Sequence, residues 1–173
     1  MDSLAEHIVE FICTHGLDSK YWLAYSGGLD SHVLLHLFAK VRATYPIHLR
    51  AIYVNHGVSV NAAKWAEHCA QVCSELNVEF SQQKLVLPNS KDDQLSSPED
   101  QLRQSRYQVF ATLLATKDIL LTAHHQNDQA ETILLQLCRG AGPQGLAAMP
   151  RIKAFAKGFH ARPLLNFTRD DLQ

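Results

Sequence analysis

Short apolar runs alternate with segments of helical period along almost the whole chain. Residues 3–14 carry Leu4, Ile8, Phe11 and Ile12 on one helical face, with Gly16 just beyond. Residues 21–25 (YWLAY) stop at a Ser-Gly-Gly and read as a buried strand. Residues 29–43 read as a helix and 47–54 as a second strand. Residues 64–76 read as a helix with Trp65, Cys69, Val72, Cys73 and Leu76 in register, and 78–87 as a third strand. A polar loop spans 88–97. Ser97 as N-cap and Pro98 then open a helix with Leu102, Val109, Phe110 and Leu113 on its apolar face. Residues 118–123 form a fourth strand, and 127–139 a helix closed by Gly140. Residues 151–155 and 159–165 suit a hairpin around Ala156-Lys157-Gly158. Repeated strand–helix–strand units require right-handed crossovers and a parallel sheet covered on both faces. The expected fold is a doubly wound, Rossmann-like α/β domain with a mainly parallel five-stranded sheet.

A chain of 173 residues suits one domain. With 46% hydrophobic and 19% charged residues it can build a core without staples. That excludes a disordered tract and a disulfide-dense miniprotein. No run approaches the roughly 18 apolar residues that span a bilayer. The start, MDSLAEHIVEF, is acidic and amphipathic and lacks the pattern of a secretion signal, so a cytoplasmic protein is expected. Sixteen Lys and Arg against seventeen Asp and Glu argue against a dedicated nucleic-acid clamp, though not against a local basic patch. Cys13, Cys69, Cys73 and Cys138 contain no CxxC and are expected to be reduced and mostly buried. Thr168 is a plausible N-cap for a helix that the sequence leaves after one turn (RDDLQ). Residues 1–173, with a core over about 20–165, are therefore expected to be a single domain of a longer protein.

The chemistry concentrates first at Ser26-Gly27-Gly28-Leu29-Asp30-Ser31, between the first strand and its helix. Ligands of doubly wound sheets bind at the carboxyl ends of strands. The glycines let backbone N–H groups approach a ligand, and the helix N-terminus favours an anion. Ser26 and Ser31 add hydroxyls. Asp30 repels a bare phosphate and suits a Mg²⁺ that phosphates share. The plain alternative is a tight turn with a serine cap.

SGGLDS resembles the signature of the PP-loop ATP pyrophosphatases, which cleave ATP to AMP and pyrophosphate while adenylating a substrate. It is not a Walker A loop. A second segment narrows the resemblance. His124-His125-Gln126-Asn127-Asp128-Gln129-Ala130-Glu131-Thr132 runs on to Arg139-Gly140-Ala141-Gly142-Pro143-Gln144-Gly145-Leu146-Ala147-Ala148-Met149. Together they are similar to the tRNA(Ile)-lysidine synthetase family. Val54-Asn55-His56-Gly57, Arg103 with Arg106-Tyr107, and Arg162-Pro163-Leu164-Leu165 fit as well. The resemblance covers about residues 20–170. It implies ATP and Mg²⁺, an isoleucine tRNA with a CAU anticodon, free L-lysine, and further C-terminal tRNA-binding domains. It leaves a homodimer open. It implies adenylation of the cytidine at the first anticodon position, then displacement of AMP by lysine. Other PP-loop tRNA modifiers, such as a thiolase, and a non-catalytic nucleotide-binding module are the competing readings.

Asp30, His124, Arg103 and Arg106 are the candidate catalytic residues. Ser26, Gly27, Gly28, Leu29, Asp30, Ser31, Asn55 and His56 are the candidate ATP site. Asp128 and Glu131, three apart at a helix start, share a face and suit the ammonium of lysine. Acids also favour the first turn of any helix, so a capped helix with solvated acids competes. Lysine's amine has a reference pKa of about 10.4 and needs a proton acceptor, for which one of these acids or His124 is a candidate. His124 and His125 point opposite ways on an extended chain, and His124 is favoured for the site. Arg103 and Arg106 suit charge at the α-phosphate, or merely a solvated helix face.

Overall fold

The computed structural model of the protein describes residues 2–55, 62–85 and 98–173. Three helices and three strands alternate first: α1 (Asp2–His15), β1 (Lys20–Ala24), α2 (Leu29–Arg42), β2 (His48–Asn55), α3 (Ala62–Glu75) and β3 (Glu79–Lys84). Then come α4 (Pro98–Leu113), β4 (Ile119–Leu121), α5 (Gln126–Cys138), the short α6 (Pro143–Leu146), β5 (Ile152–Phe155) and β6 (Gly158–Ala161). A 3-10 turn (Asp170–Leu172) closes the chain, with the Asp171 N–H donating to Thr168 Oγ1 at 3.2 Å. The polar loop read over 88–97, the Ser97 cap and Gly57 lie outside the described residues.

The strands form one sheet in the order β3-β2-β1-β4-β6-β5. All neighbours run parallel except β5 and β6. The sheet has six strands among the described residues, not five. The reason is the hairpin: β6 joins β4 in parallel, pairing Ile119 with Phe159, and carries β5 with it as an antiparallel edge. Gly158 permits the join, because a Cβ there would collide with the Asp118 carbonyl.

Strand alternation splits the core in two. Tyr21, Leu23, Leu49, Ala51, Ile119 and Leu121 pack with α1, α2 and α3. Trp22, Ile52, Val54 and Leu120 pack with Phe110 and Leu114 at the α4 end. Successive residues of a strand point to opposite faces, so strands rich in apolar side chains at every position must be covered twice. Cys69 and Cys73 are buried as expected, but Cys13 and Cys138 are exposed, so only half of the thiols join the core. Trp65 is also half exposed, at 49%. No helix among the described residues is long and apolar enough to cross a membrane.

The chain steps from β1 outward to β2 and β3, then returns across β1 to β4. The order therefore reverses between β1 and β4. Their carboxyl ends diverge there and leave a crevice.

Candidate functional site

One wall of that crevice is the turn after β1. Ser26 Oγ and Ser31 Oγ lie 3.0 Å apart, Ser31 Oγ donates to the Gly28 carbonyl at 2.9 Å, and Gly28 N–H donates to Ser26 Oγ at 3.3 Å. These bonds fold the turn onto itself and start α2 with Gly28 as N-cap. Gly27 sits at φ +79°, and a Cβ there would stand 3.0 Å from Cys69 Sγ. Only glycine suits that backbone and that space. Leu29 is 44% exposed, so its side chain adds little to the turn.

The opposite wall follows β4. His124 Nδ1 lies 2.8 Å from Thr122 Oγ1, which also lies 2.8 Å from His160 Nε2. Burial, then the Arg162 cation, pulls the His124 pKa down to about 4, and the same causes pull His160 down to about 3. Both rings are therefore neutral at pH 7. The His125 ring turns the other way. It is 5% exposed, with Nε2 3.7 Å from Asp30 Oδ2 and Nδ1 3.6 Å from Asp128 Oδ2. Asp128 Oδ2 also accepts the His125 backbone N–H at 2.8 Å, which caps α5. The capped-helix reading of Asp128 is thus realised, and the same carboxylate still lines the crevice.

Between the walls lies a cleft of about 330 Å³, within the range of small-molecule sites. Ser26, Gly28, Asp30, Ser31, Arg106, His124 and Asp128 are among the residues that line it. Arg103 does not. It lies one turn before Arg106, with its guanidinium 5.4 Å from the Tyr107 ring centre, and lines a neighbouring cavity. Glu131 is exposed on α5, outside the cleft wall. Asn55 ends β2 beside the cleft residues Tyr53 and Val54. His56 lies outside the described residues.

The profile of a PP-loop domain matches residues 2–173. The chain belongs to the PP-loop family. This PP-loop chain is 44% identical to a tRNA(Ile)-lysidine synthase of Coxiella burnetii over 168 residues, 97% of this chain and 37% of that protein. It is 46% identical over 157 residues to the enzyme of the same name from Pseudomonas syringae, covering 90% of this chain and 34% of that one. It spans about a third of the length of these curated relatives. Among solved structures, the U34-tRNA thiolase NcsA from Methanococcus maripaludis superposes with a TM-score of 0.77 at 19% identity, covering 99% of this chain and 60% of that one. That likeness extends to the fold alone.

Several residues at and behind this PP-loop cleft were not singled out by spacing. His125 is read from the sequence as facing away, yet it bridges the two carboxylates. Thr122, His160 and the Arg162 side chain form a buried polar chain behind His124. No signal short of the fold joins residues so far apart in sequence. The two buried thiols point away from sulfur chemistry: burial pushes Cys69 up to about 11 and Cys73 to about 12, the opposite of a reactive thiolate. No group of three metal-ligating side chains forms among the described residues. Asp30 Oδ1 is nonetheless buried without a partner. A lone carboxylate of that kind fits Mg²⁺, which takes one or two protein carboxylates and completes its shell with phosphate oxygens and water.

Proposed function

We propose that this chain is the ATP-dependent catalytic domain of a tRNA(Ile)-lysidine synthase. The carbonyl oxygen of the cytidine at the first position of a CAU anticodon attacks the α-phosphorus of ATP, and pyrophosphate leaves. The ε-amine of L-lysine then forms a carbon–nitrogen bond at that carbon, and AMP departs with the oxygen. The observation that carries the reading is the meeting of two segments at one cleft: Asp30 and Asp128 lie within 3.7 Å of the same imidazole. The resemblance of both segments to lysidine synthases supplies the substrates.

Each residue has a role in this reading. Ser26, Ser31 and the N-terminus of α2 hold the phosphates. Arg106, on the cleft wall, neutralises charge at the α-phosphate. Asp30 would hold Mg²⁺, which when bound draws charge from the phosphate oxygens. Asn55 flanks the base from the end of β2, and the resemblance assigns His56 to the same role. Asp128 draws the lysine ammonium toward the cleft, with Glu131 as an outer carboxylate. His124, neutral and bonded through Nδ1 to the Thr122 hydroxyl, carries its proton on Nε2 and offers it to an oxygen of the reacting nucleotide, while Asp128 is the carboxylate that accepts from the incoming amine. The test is transfer of labelled lysine into unmodified isoleucine tRNA with Mg-ATP, read by nucleoside mass spectrometry. A lysine-bearing cytidine is expected. ATP binding without any such product, in this chain and in a longer one, would leave a nucleotide-binding module.

A further inference from the structure

The cleft has a neighbour. Asp100, Arg103, Gln104, Tyr107, Lys153 and Arg162 line a second cavity of about 370 Å³. Tyr107 borders both cavities. Three of the second cavity's residues are cations and one is an acid. Among the described residues, no ion pair engages Arg103, Lys153 or Arg162. Arg162 is only 3% exposed. One terminal nitrogen donates to the Pro150 carbonyl at 2.8 Å, and the other lies 3.3 Å from His160 Nδ1. Its Nε is buried without a partner. Tyr107 is a side-chain hydrogen-bond partner of Arg162, and a buried guanidinium that keeps one unsatisfied donor is unfavourable unless an anion completes it. The phosphate turn of the cleft lies at the end of β1, whereas this cavity lies beyond Tyr107, between α4 and the β5–β6 hairpin.

We propose that this cavity binds a phosphodiester of the RNA strand beside the nucleotide whose base enters the cleft, with Arg103, Lys153 and Arg162 as its ligands. The inference rests on the RNA reading above. A backbone phosphate needs local cations and no base-edge pairing. In a chain of net charge −1, a cluster of this kind is where an RNA strand can be gripped without a basic protein around it. Tyr107 then stands between the phosphate and the ATP site, which fixes the distance at which the base is presented.

The test uses the full chain and Lys153→Gln, a change at an exposed side chain. The probe is the unmodified CAU anticodon stem-loop, alone and with a single neutral methylphosphonate at each phosphate near the target cytidine. Lys153→Gln is expected to weaken stem-loop binding several-fold and to flatten the log–log salt dependence by about 0.7–0.9. It should leave the ATP Kd within about twofold, since one surface charge beyond Tyr107 is largely screened there. One methylphosphonate position should weaken the wild type and have no further effect on the variant. Losses that add at every phosphate overturn the inference while lysidine formation keeps the RNA reading intact. An equal loss of ATP affinity overturns it in favour of the nucleotide's own phosphates. Failure of the stem-loop to bind both this chain and one extended by further C-terminal sequence, with ATP bound to each, overturns the inference and the RNA reading together.

Discussion

His125 Nε2 stands 3.7 Å from Asp30 Oδ2. The contact joins the turn after β1 to the start of α5, so the two sides of the cleft share one buried ring. Replacing His125 with Ala removes that link and leaves two carboxylates facing a void. A loss of about 1–3 kcal/mol in stability is expected from the unpaired polar groups and the cavity. A drop of about 10–100-fold in turnover is expected from misplaced ligands, as for other residues that orient a site from behind. Urea denaturation and steady-state pyrophosphate release would check both. Normal turnover in a folded His125→Ala protein would remove the bridge from the mechanism.

Ser26 is exposed and the Asp30 side chain is about a third exposed, at 32%, so neither anchors the core. Ser26→Ala and Asp30→Asn should therefore keep the melting temperature within about 3 °C, as surface changes do. Their effects should separate. Ser26→Ala removes a hydroxyl from the phosphate turn and weakens ATP binding whether or not Mg²⁺ is present. Asp30→Asn keeps the shape and removes the charge, so it should raise the Mg²⁺ concentration needed for half-maximal pyrophosphate release by at least about tenfold. Full activity of Asp30→Asn at low Mg²⁺ would take the aspartate out of the metal site. Trp65 lies within 3.5 Å of the Cβ position of Gly27, so its fluorescence offers a direct titration of ATP.

The parts of this site that were legible in the sequence are the local ones. β1 and β4 read as buried strands because they carry apolar side chains on both faces. The turn after β1 announced itself by two glycines and two serines. β3 runs over Glu79–Lys84 within the 78–87 read from the sequence, of which 86 and 87 lie outside the described residues, and as an edge strand it leaves its side chains mostly exposed. Arg103 and Arg106 are three apart, which predicts a shared face. On the folded helix the Tyr107 ring falls between their destinations, and one arginine enters the cleft while the other enters the next cavity. The His125 bridge and the burial of Arg162 depend on β4, β6 and the β1 turn coming together. That meeting is set by sheet order, which no local period encodes.

The neutral histidines behind the cleft make stability depend on pH. His124 is held at about 4 and His160 at about 3, against about 6.5 in an unfolded chain. Between pH 6.5 and 4 the unfolded chain thus binds more protons than the native one. The stabilisation is whole above pH 6.5 and is lost as pH falls through that window. Thr122 links the two rings, so they titrate as a coupled pair. Together they should remove roughly 3 kcal/mol of stability between pH 7 and pH 5. His160→Gln keeps an amide for Thr122 but cannot titrate, and should lose about half of that slope. Urea midpoints of both proteins at the two pH values give the answer, and parallel slopes would rule the pair out as its source.

Gly27 offers a test of how tightly the phosphate turn is braced from below. Gly27→Ala meets two obstacles, the backbone at φ +79° and Cys69 Sγ at 3.0 Å. Left-handed backbone costs a non-glycine residue about 1–2 kcal/mol, and the clash adds to it. Cys69→Ala removes the second obstacle and leaves the first. It also opens a small cavity under the turn, for about 1 kcal/mol. The double variant should therefore be more stable than the sum of the two single losses by about 0.5–1 kcal/mol, a coupling that a double-mutant cycle resolves. ATP affinity should track it: weakened at least tenfold in Gly27→Ala and partly regained in the pair, because Ser26 and Gly28 return toward the spacing that lets their hydroxyl and N–H groups meet one anion. Strict additivity would mean that the turn is strained by its own backbone alone, and that α3 supports it without touching it.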